Sequence, residues 1–302
     1  MTQRRYYSLS QHFREVFGEK VYRVALDAGF TCPNIDGTLA YGGCTYCYAG
    51  SLSPAVLKRI PIEDQLQDGM KKVRRRYRVN KFLAYFQAFT NTYGPIEELK
   101  KVYAKVLSHP EIVGLAISTR PDSLPDPVLD FLQELGCSHY LWLEIGLQTI
   151  HDGTQERVNR WHTYAQFLDA LERAKKRGLR VCVHLIFGLP GESIEEMEET
   201  IRAVSKLPID GVKIHSLHIL AGTQLAKEYG RGTFEIFSKE EYVQLVCDAI
   251  AELPPQVVIH RLTGDAPEAK LVAPLWSRNK VVLLADIERE LEKRNIVQGM
   301  RR

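Results

Sequence analysis

Three cysteines lie close together near the start of the chain, in a segment with the pattern C-x11-C-x2-C formed by Cys32, Cys44 and Cys47. Thiolates are soft ligands that suit iron–sulfur clusters or zinc, and the glycines between them allow the sharp turns that bring three sulfurs to one centre. The other three cysteines are scattered, unlike the framework of a secreted disulfide protein. We therefore predict a metal centre, a reducing compartment and a cytoplasmic location.

The number of ligands helps to separate the possible centres. A structural zinc site normally closes with a fourth Cys or His, and no second C-x-x-C or H-x-x-C lies nearby. A [4Fe-4S] cluster held by three cysteines leaves one iron open to an outside ligand, which permits chemistry. A catalytic [4Fe-4S] cluster is therefore favoured, while a noncatalytic zinc-binding adaptor and a chance grouping of buried cysteines stay open.

The elements that must position these cysteines alternate between two patterns. Short β-branched or aromatic runs alternate with amphipathic stretches, and capping boxes at Ser193 with Glu196 and at Ser238 with Glu241 mark helix starts. Pro95 suits a first helical turn. Strands are predicted at 20–26, 82–86, 112–118, 140–147, 180–187, 212–220 and 257–262, and helices at 62–78, 95–108, 126–135, 163–177, 193–206 and 238–253.

This order predicts an α/β fold, a partial parallel (β/α) barrel rather than a doubly wound sheet, with a terminal helix within 277–297. Gly136 and Gly178 suit helix ends. Reactive groups belong at the carboxyl ends of the strands in either topology. The first predicted strand ends at residue 26, directly before the cysteine segment.

Composition sets wide limits on function. The chain has 302 residues, 45% hydrophobic and 25% charged, with a net charge of +3. We expect neither secretion nor a membrane span, because the amino terminus lacks an apolar core and no later run approaches about 18 apolar residues. The charge is too mild to establish a nucleic-acid partner by itself.

The cysteine segment resembles that of the radical S-adenosylmethionine (SAM) superfamily, in which three cysteines follow the first strand of a partial (β/α)6 barrel. The common superfamily spacing is C-x3-C-x2-C. The longer first gap of this chain resembles the branch that contains the Elongator catalytic subunit and the small bacterial proteins of the YhcC/YtqA, or MnmL-like, type. Further blocks resemble that family: YFQAFTNTYGP at 85–95, STRPDSLPD at 118–126, LEIGLQTIHDGTQERVNRWHT at 143–163 and HLIFGLPGE at 184–192.

The resemblance covers roughly residues 5–265, and it implies a core domain at 1–265 with a carboxyl-terminal extension at 266–302 packed on it. It also implies that Cys32, Cys44 and Cys47 hold a [4Fe-4S] cluster and that SAM binds beside them. The Gly-Gly-Glu usual in the family after the second strand is absent here. The implied SAM contacts are Tyr46, Gln87, Thr90, Asn91, Glu144, Gln148, Arg160, Ile186 and Gly188.

Within that set, Tyr46 is expected to contact the adenine, as are Ile186 and Gly188. Glu144 and Gln148 are expected to hydrogen-bond the ribose or the methionine portion. A buried carboxylate is costly without a partner, so an ion pair of Glu144 with Arg120 or Arg160 is the structural alternative.

The resemblance implies that an electron from a donor such as flavodoxin or ferredoxin cleaves SAM to a 5'-deoxyadenosyl radical, which takes hydrogen from the substrate. It further implies tRNA as the partner and the C5 substituent of wobble uridine as the target, converting carboxymethylaminomethyl-uridine to aminomethyl-uridine. A small metabolite or a protein is the competing substrate class.

One stretch of sequence offers a separate signal for nucleic acid. The run KKVRRRYRVNK at 71–81 is strongly basic, and such clusters neutralise phosphates, although most charged helices are only solvated surfaces. The predicted contacts are Lys71, Lys72, Arg74, Arg75, Arg76 and Arg78. Secondary candidates for an anionic substrate near strand ends are Arg120, Arg160, Lys213 and Arg261, for which salt bridges are an equal explanation. His215, His218 and His260 are candidates to face the substrate, with structural core or rim histidines as the alternative.

Overall fold

The computed structural model describes residues 4–48 and 60–302, so residues 1–3 and 49–59 of the predicted core domain lie outside the described residues. The strands in chain order are β1 Val21–Leu26, β2 Lys81–Phe86, β3 Ile112–Thr119, β4 Tyr140–Gln148, β5 Val181–Phe187, β6 Gly211–Ser216, β7 Ile219–Leu220, β8 Val258–Arg261 and β9 Leu271–Ala273. Seven of them form one parallel sheet in the order β1-β2-β3-β4-β5-β6-β8. The predicted α/β partial barrel is confirmed.

The helices surround this sheet, and most of them connect its consecutive strands on the outer face, whereas the first precedes β1 and the last follows β9. They are α1 Leu9–Phe17, α2 Ile62–Tyr77, α3 Ile96–Leu107, α4 Asp126–Ser138, α5 Asp152–Arg157, α6 Tyr164–Lys176, α7 Ile194–Ser205, α8 Gln224–Gly230, α9 Lys239–Glu252 and α10 Lys280–Lys293. Short 3-10 turns lie at Pro121–Ser123, Glu268–Lys270 and Leu275–Arg278. Each parallel strand pair needs such a crossover, because a tight hairpin can join only antiparallel strands.

The predicted capping boxes are confirmed. Ser193 caps α7 and Ser238 caps α9, each with a glutamate three residues later that bonds back to the cap. Gly178 follows α6 with a φ of 69°, as a helix-ending glycine does. Gly136 does not end a helix, because α4 continues through it to Ser138.

Other elements differ from the expectation. The predicted strand at 212–220 divides into β6 in the barrel and β7, which leaves the barrel and pairs antiparallel with β9. The short helices α1, α5 and α8 were not predicted. Each depends on tertiary packing more than on its own periodicity, since helices of six to nine residues are not stable alone.

The two faces of the sheet bury different groups. The outer face and the surrounding helices form the main apolar core, which includes Leu99, Phe167 and Ile201. Inside the barrel, Leu9 and Phe13 of α1 pack with Trp142 and close the amino end. The opposite end, where the strands terminate, stays open for a site.

The terminal helix α10 lies against the barrel. Leu283, Ile287 and Leu291 are buried in the main core beside α9. The division at residue 265 stays a prediction. No helix among the described residues is both long and apolar enough to cross a membrane.

Candidate active site

A cavity of about 470 Å³ opens at the carboxyl ends of the strands. The cysteine segment follows β1 and supplies Cys32, Cys44 and Cys47 to its lining. The other walls come from β2 to β7 and the segments after them. Parallel strands bring all these chain ends to one edge.

Local hydrogen bonds fix the shape of the cysteine segment. The Ile35 backbone N–H donates to the Cys32 carbonyl at 2.8 Å, and the Cys47 N–H donates to the Cys44 carbonyl at 2.8 Å. Asn34 is buried, and its Nδ2 lies 3.7 Å from Cys44 Sγ while donating to the Arg160 carbonyl at 3.0 Å. Two tight turns and one buried amide therefore aim the thiols into the cavity.

The arrangement of the three thiols fits a cluster better than a single ion. Zinc with Zn–S bonds of about 2.3 Å would hold its sulfurs roughly 3.8 Å apart. Among the described residues, Glu144, Cys182 and His184 form the only triad of Cys, His or carboxylate ligand atoms mutually within 4.8 Å. The three loop sulfurs therefore do not all lie within 4.8 Å of one another, a spacing that a polynuclear centre can accommodate.

The electrostatics of the cysteine segment call for a compensating cation. Burial raises the pKa of Cys47 to about 12, and the neighbouring Cys44 and Cys32 add to the shift. Deprotonated sulfurs at this position therefore need positive charge, which bound iron would supply and Arg160 would supplement. The donor set fits a [4Fe-4S] cluster.

Arg160 joins the cysteine segment to β4. Its Nη1 lies 3.7 Å from Cys44 Sγ and 3.4 Å from the Tyr46 hydroxyl, and its Nη2 donates to the Gly146 carbonyl at 2.8 Å. Burial opposes the charge of Arg160, but Tyr46 and Cys44 raise its pKa above the usual value. The side chain therefore enters the cavity as a permanent cation.

The structure brings most of the predicted SAM contacts together. Tyr46, Gln87, Thr90, Gln148 and Arg160 all line the same cavity as the three cysteines. These five side chains therefore combine an aromatic ring, amides, a hydroxyl and a guanidinium. This mixture can bind a zwitterionic ligand with a heteroaromatic ring.

Four predicted contacts do not line this cavity. Asn91 is buried and donates to the Phe86, Ala88 and Ser118 carbonyls, so it holds the loop after β2 against β3. Ile186 packs in a separate apolar cluster. Gly188, with a φ of 92°, lines a small pocket with Phe237 instead.

Glu144 is the fourth predicted SAM contact that does not line the cavity, and it is fully buried inside the barrel. Neither Arg120 nor Arg160 pairs with it, because Arg120 binds Asp122 at 2.6 Å and Arg160 faces Cys44. The structural alternative stated for Glu144 therefore named the wrong partners. Its carboxylate pairs with Lys213, and it accepts a hydrogen bond from His184 at 2.9 Å.

Further charges surround this pair. Arg23 lies 3.8 Å and His260 3.6 Å from the Glu144 carboxylate. Burial raises the pKa of Glu144, but Lys213, followed by His184 and His260, outweighs it and holds that pKa well below its usual range. The barrel interior beneath the cavity is thus a network of paired charges.

Several cavity residues were not predicted from the sequence. Tyr85, Ser118 and His184 line the cavity, and Tyr85 receives hydrogen bonds from Ser118 and Lys213, each at 3.1 Å. Tyr85 and Ser118 lie near the carboxyl ends of β2 and β3, which was the available signal, whereas His184 lies in the middle of β5. Among the secondary candidates, Arg120 and His215 line the cavity as well.

The remaining secondary candidates contact other polar groups. Lys213 and His260 lie beneath the cavity in the Glu144 network. His218 is 3.2 Å from the Ser216 hydroxyl, and Arg261 pairs with Asp265 at 2.9 Å.

The predicted nucleic-acid residues lie at the other end of the barrel. They occupy the last turns of α2 and the residue after it, and that end of the helix leads into the amino end of β2. The six residues of β2 span about 20 Å, so this basic end is remote from the cysteines. Lys71, Lys72, Arg75, Arg76 and Arg78 are exposed, whereas Arg74 pairs with Glu111 at 2.5 Å.

Comparison with known proteins shows the family to which this chain belongs. The sequence profile of the Radical SAM superfamily matches residues 41–204, more than half of the chain. The chain belongs to the radical SAM superfamily. A second profile, the Radical_SAM C-terminal domain, matches residues 209–293.

Radical SAM members close to this chain include YtqA of Bacillus subtilis, which is 46% identical over 299 residues, covering 99% of this chain and 93% of YtqA. The tRNA uridine(34) acetyltransferase of Methanocaldococcus jannaschii is 29% identical over 180 residues, covering 59% of this chain and 32% of that protein. These similarities place this radical SAM chain in the YhcC/YtqA family, related to Elongator.

A solved structure agrees with the fold. The Elp3 of Methanocaldococcus infernus, lacking residues 1–46, superposes with a TM-score of 0.69 at 20% identity, covering 92% of this chain and 64% of that one. At this identity the likeness concerns the fold alone. Family membership makes this protein a radical SAM enzyme that uses a [4Fe-4S] cluster and SAM.

Proposed function

We propose that Cys32, Cys44 and Cys47 hold the [4Fe-4S] cluster and that SAM occupies the cavity beside them. The convergence of these thiols with Arg160 on one cavity at the strand ends carries the proposal. When bound, a [4Fe-4S] cluster would supply the one-electron reduction that splits SAM into methionine and a 5'-deoxyadenosyl radical able to take hydrogen from a substrate carbon. A flavodoxin or ferredoxin supplies that electron.

The residues of the chain bind, orient and shield. Arg160 fixes the cysteine segment to β4 and offers a cation to the carboxylate of SAM. Gln87, Thr90 and Gln148 supply hydrogen-bonding groups, and Tyr46 offers an aromatic face for the adenine. Fixed polar groups orient the reactants without reorganisation during the reaction, which lowers the barrier.

The substrate we propose is tRNA, and the reacting group is the C5 substituent of wobble uridine, with carboxymethylaminomethyl-uridine converted to aminomethyl-uridine in the cytoplasm. Support comes from the related protein named as a tRNA uridine(34) acetyltransferase. The exposed basic end of α2 is proposed as a distant phosphate contact for the same RNA.

The first test is anaerobic reconstitution with iron and sulfide, reduction, and measurement of 5'-deoxyadenosine formed from SAM. We expect product from the wild type and none from Cys44→Ala. Cys137→Ala is the matched control, because Cys137 is exposed and lies outside the cavity. Loss of product in both variants, or in neither, contradicts the ligand assignment.

The second test identifies the substrate. Modified nucleosides are compared in tRNA from cells with and without this protein, and we expect carboxymethylaminomethyl-uridine to accumulate when it is absent. An unchanged wobble-uridine profile overturns the tRNA proposal and directs the search to a small metabolite or a protein.

A further inference from the structure

Three side chains that do not line the cavity lie on the two segments that form one side of its rim, beside the lining residues Gly43 and Arg160. Tyr41 is 80% exposed and belongs to the cysteine segment, while Trp161 is 47% exposed and follows Arg160 directly. Arg157 is exposed at the end of α5, in the same connection. The backbone bond from Thr45 N–H to the Val158 carbonyl, at 2.9 Å, holds the two segments together.

One side chain fixes both aromatic residues in place. Asn159 Nδ2 donates to the Tyr41 carbonyl at 3.1 Å and to the Gly43 carbonyl at 2.7 Å. Its Oδ1 accepts from the Trp161 indole N–H at 2.5 Å. Tyr41 and Trp161 are therefore held on one rim by a shared amide, although they lie on different segments.

The Tyr41 ring rests against the backbone of Gly37. A Cβ at Gly37, where φ is 90°, would lie 2.4 Å from a ring carbon of Tyr41. One side of the ring is thus supported while most of its surface faces solvent. A supported, exposed ring offers a flat platform.

The backbone that presents Trp161 is strained. Asn159 and Trp161 adopt φ values of 56° and 64°, in the left-handed region that a bulky side chain avoids. The two turns send Arg160 inward and Trp161 outward. Strained backbone of this kind clusters at functional sites, and here it holds a large apolar ring in water beside the cavity.

Arg157 adds a free positive charge to this rim. Within the described part of the chain, no carboxylate lies at ion-pair distance from it. Its guanidinium lies over Gly191, where a Cβ would come within 2.3 Å of Nη1. Exposed aromatic rings beside an unpaired guanidinium are the chemistry that binds single-stranded nucleic acid, through base stacking and phosphate pairing.

We propose that Tyr41 and Trp161 stack on unpaired nucleobases next to the reacting nucleotide and that Arg157 pairs with a phosphate of the same strand. The inference rests on the proposed tRNA substrate and deepens it. It states how the RNA is held at the cavity mouth, independently of the basic end of α2. The surface selects a looped, unstacked strand over a duplex, because only unstacked bases expose their faces.

The test measures binding of an anticodon stem–loop RNA that carries the wobble uridine, with a duplex of the same stem as the second probe. Trp161 is the exposed reporter, since Trp142 is 1% exposed and Trp276 is partly buried. We expect the loop RNA to quench tryptophan fluorescence and the duplex to bind more weakly. Trp161→Phe is expected to bind the loop while losing the quenching.

The variants separate stacking from other contacts. Tyr41→Ala and Trp161→Ala are each expected to weaken loop binding about tenfold or more, and Tyr41→Phe is expected to bind like the wild type. Arg157→Gln is expected to lower the salt dependence by about one counterion. Val297→Ala, which removes an exposed apolar side chain at the closed amino end of the barrel, is the control and should not change binding. Circular dichroism checks the fold of each variant.

The outcomes distinguish this inference from the proposed function. If the wild type binds no loop RNA, the tRNA substrate fails. If the wild type binds and the folded alanine variants bind equally well, the rim is not the platform and the substrate proposal stands. Equal loss in Tyr41→Phe and Tyr41→Ala, or equal binding of loop and duplex, also overturns the stacking inference.

Discussion

The guanidinium of Arg160 lies 3.7 Å from the sulfur of Cys44, although 116 positions separate the two residues in the chain. The same side chain donates to the Gly146 carbonyl on β4. One cation therefore connects the cysteine segment to a barrel strand. The position of the thiols depends on the barrel as well as on their own loop.

Replacing Arg160 tests this connection. In Arg160→Gln we expect less iron after reconstitution and about tenfold slower cleavage of SAM, because a charge-assisted bond near the thiolates is lost. Arg160→Lys keeps the charge without the two-pronged geometry and should fall between. Iron content and 5'-deoxyadenosine formation are measured together. Wild-type values in the glutamine variant would show that the contact is dispensable.

Gly146 offers an indirect way to move the same guanidinium. An alanine Cβ there would lie 2.6 Å from Arg160 Nη2 and 2.7 Å from Gln148 Nε2. Both are ends of flexible side chains, so we expect Gly146→Ala to fold but to lose SAM cleavage as Arg160→Gln does. Gly153→Ala is the control, because nothing lies within 4 Å of its added Cβ. Equal activity in the two alanine variants would contradict this expectation.

The buried ion pair of Glu144 with Lys213 should matter for stability. Lys213→Met leaves the Glu144 carboxylate buried without its ammonium, and we expect a loss of about 3–5 kcal/mol in the free energy of unfolding. The double variant Lys213→Met with Glu144→Gln should recover part of this loss, since no uncompensated charge remains. Urea unfolding measures all three proteins. Strict additivity of the two substitutions would argue against the pairing.

Because buried histidines resist protonation, we expect the folded protein to lose stability in mild acid. Burial, assisted by Lys213, lowers the pKa of His184 to about 4, whereas an unfolded histidine protonates near 6.5. Between these values the unfolded chain binds the extra proton, so stability falls as the pH falls, by about 1.4 kcal/mol per pH unit for this residue. We expect the free energy of unfolding, measured with urea from pH 7 to pH 4.5, to fall less steeply with pH in His184→Gln than in the wild type. Identical slopes would mean that His184 protonates in the folded state.

The main elements could be predicted because each repeats one physical pattern. Strands buried on both faces read as apolar runs, and capping boxes mark the starts of α7 and α9. The division of β6 from β7 could not be predicted, because β7 exists only through pairing with β9 some 50 residues later. Similarly, Leu9 and Phe13 in α1 gain their role from the open end of the barrel that they close.

The candidate site was predicted in part for the same reason. Spacing alone indicated the three cysteines, and resemblance indicated the residues that share their cavity. The predicted ion-pair partners of Glu144 were wrong because sequence position does not show which side chains meet inside a barrel. Glu144 on β4 and Lys213 on β6 face each other across the interior, with β5 between their strands.

The exposed basic end of α2 should contribute to the salt dependence of tRNA binding. Lys72, Arg75 and Arg76 are exposed there, and within the described part of the chain no carboxylate lies at ion-pair distance from their side chains. Replacing all three with glutamine should weaken tRNA binding and reduce its salt dependence by up to about three counterions. SAM cleavage without RNA should not change, because this end is about a strand length from the cavity. An unchanged salt dependence would identify the basic run as a solvated surface and leave the cavity rim as the RNA contact.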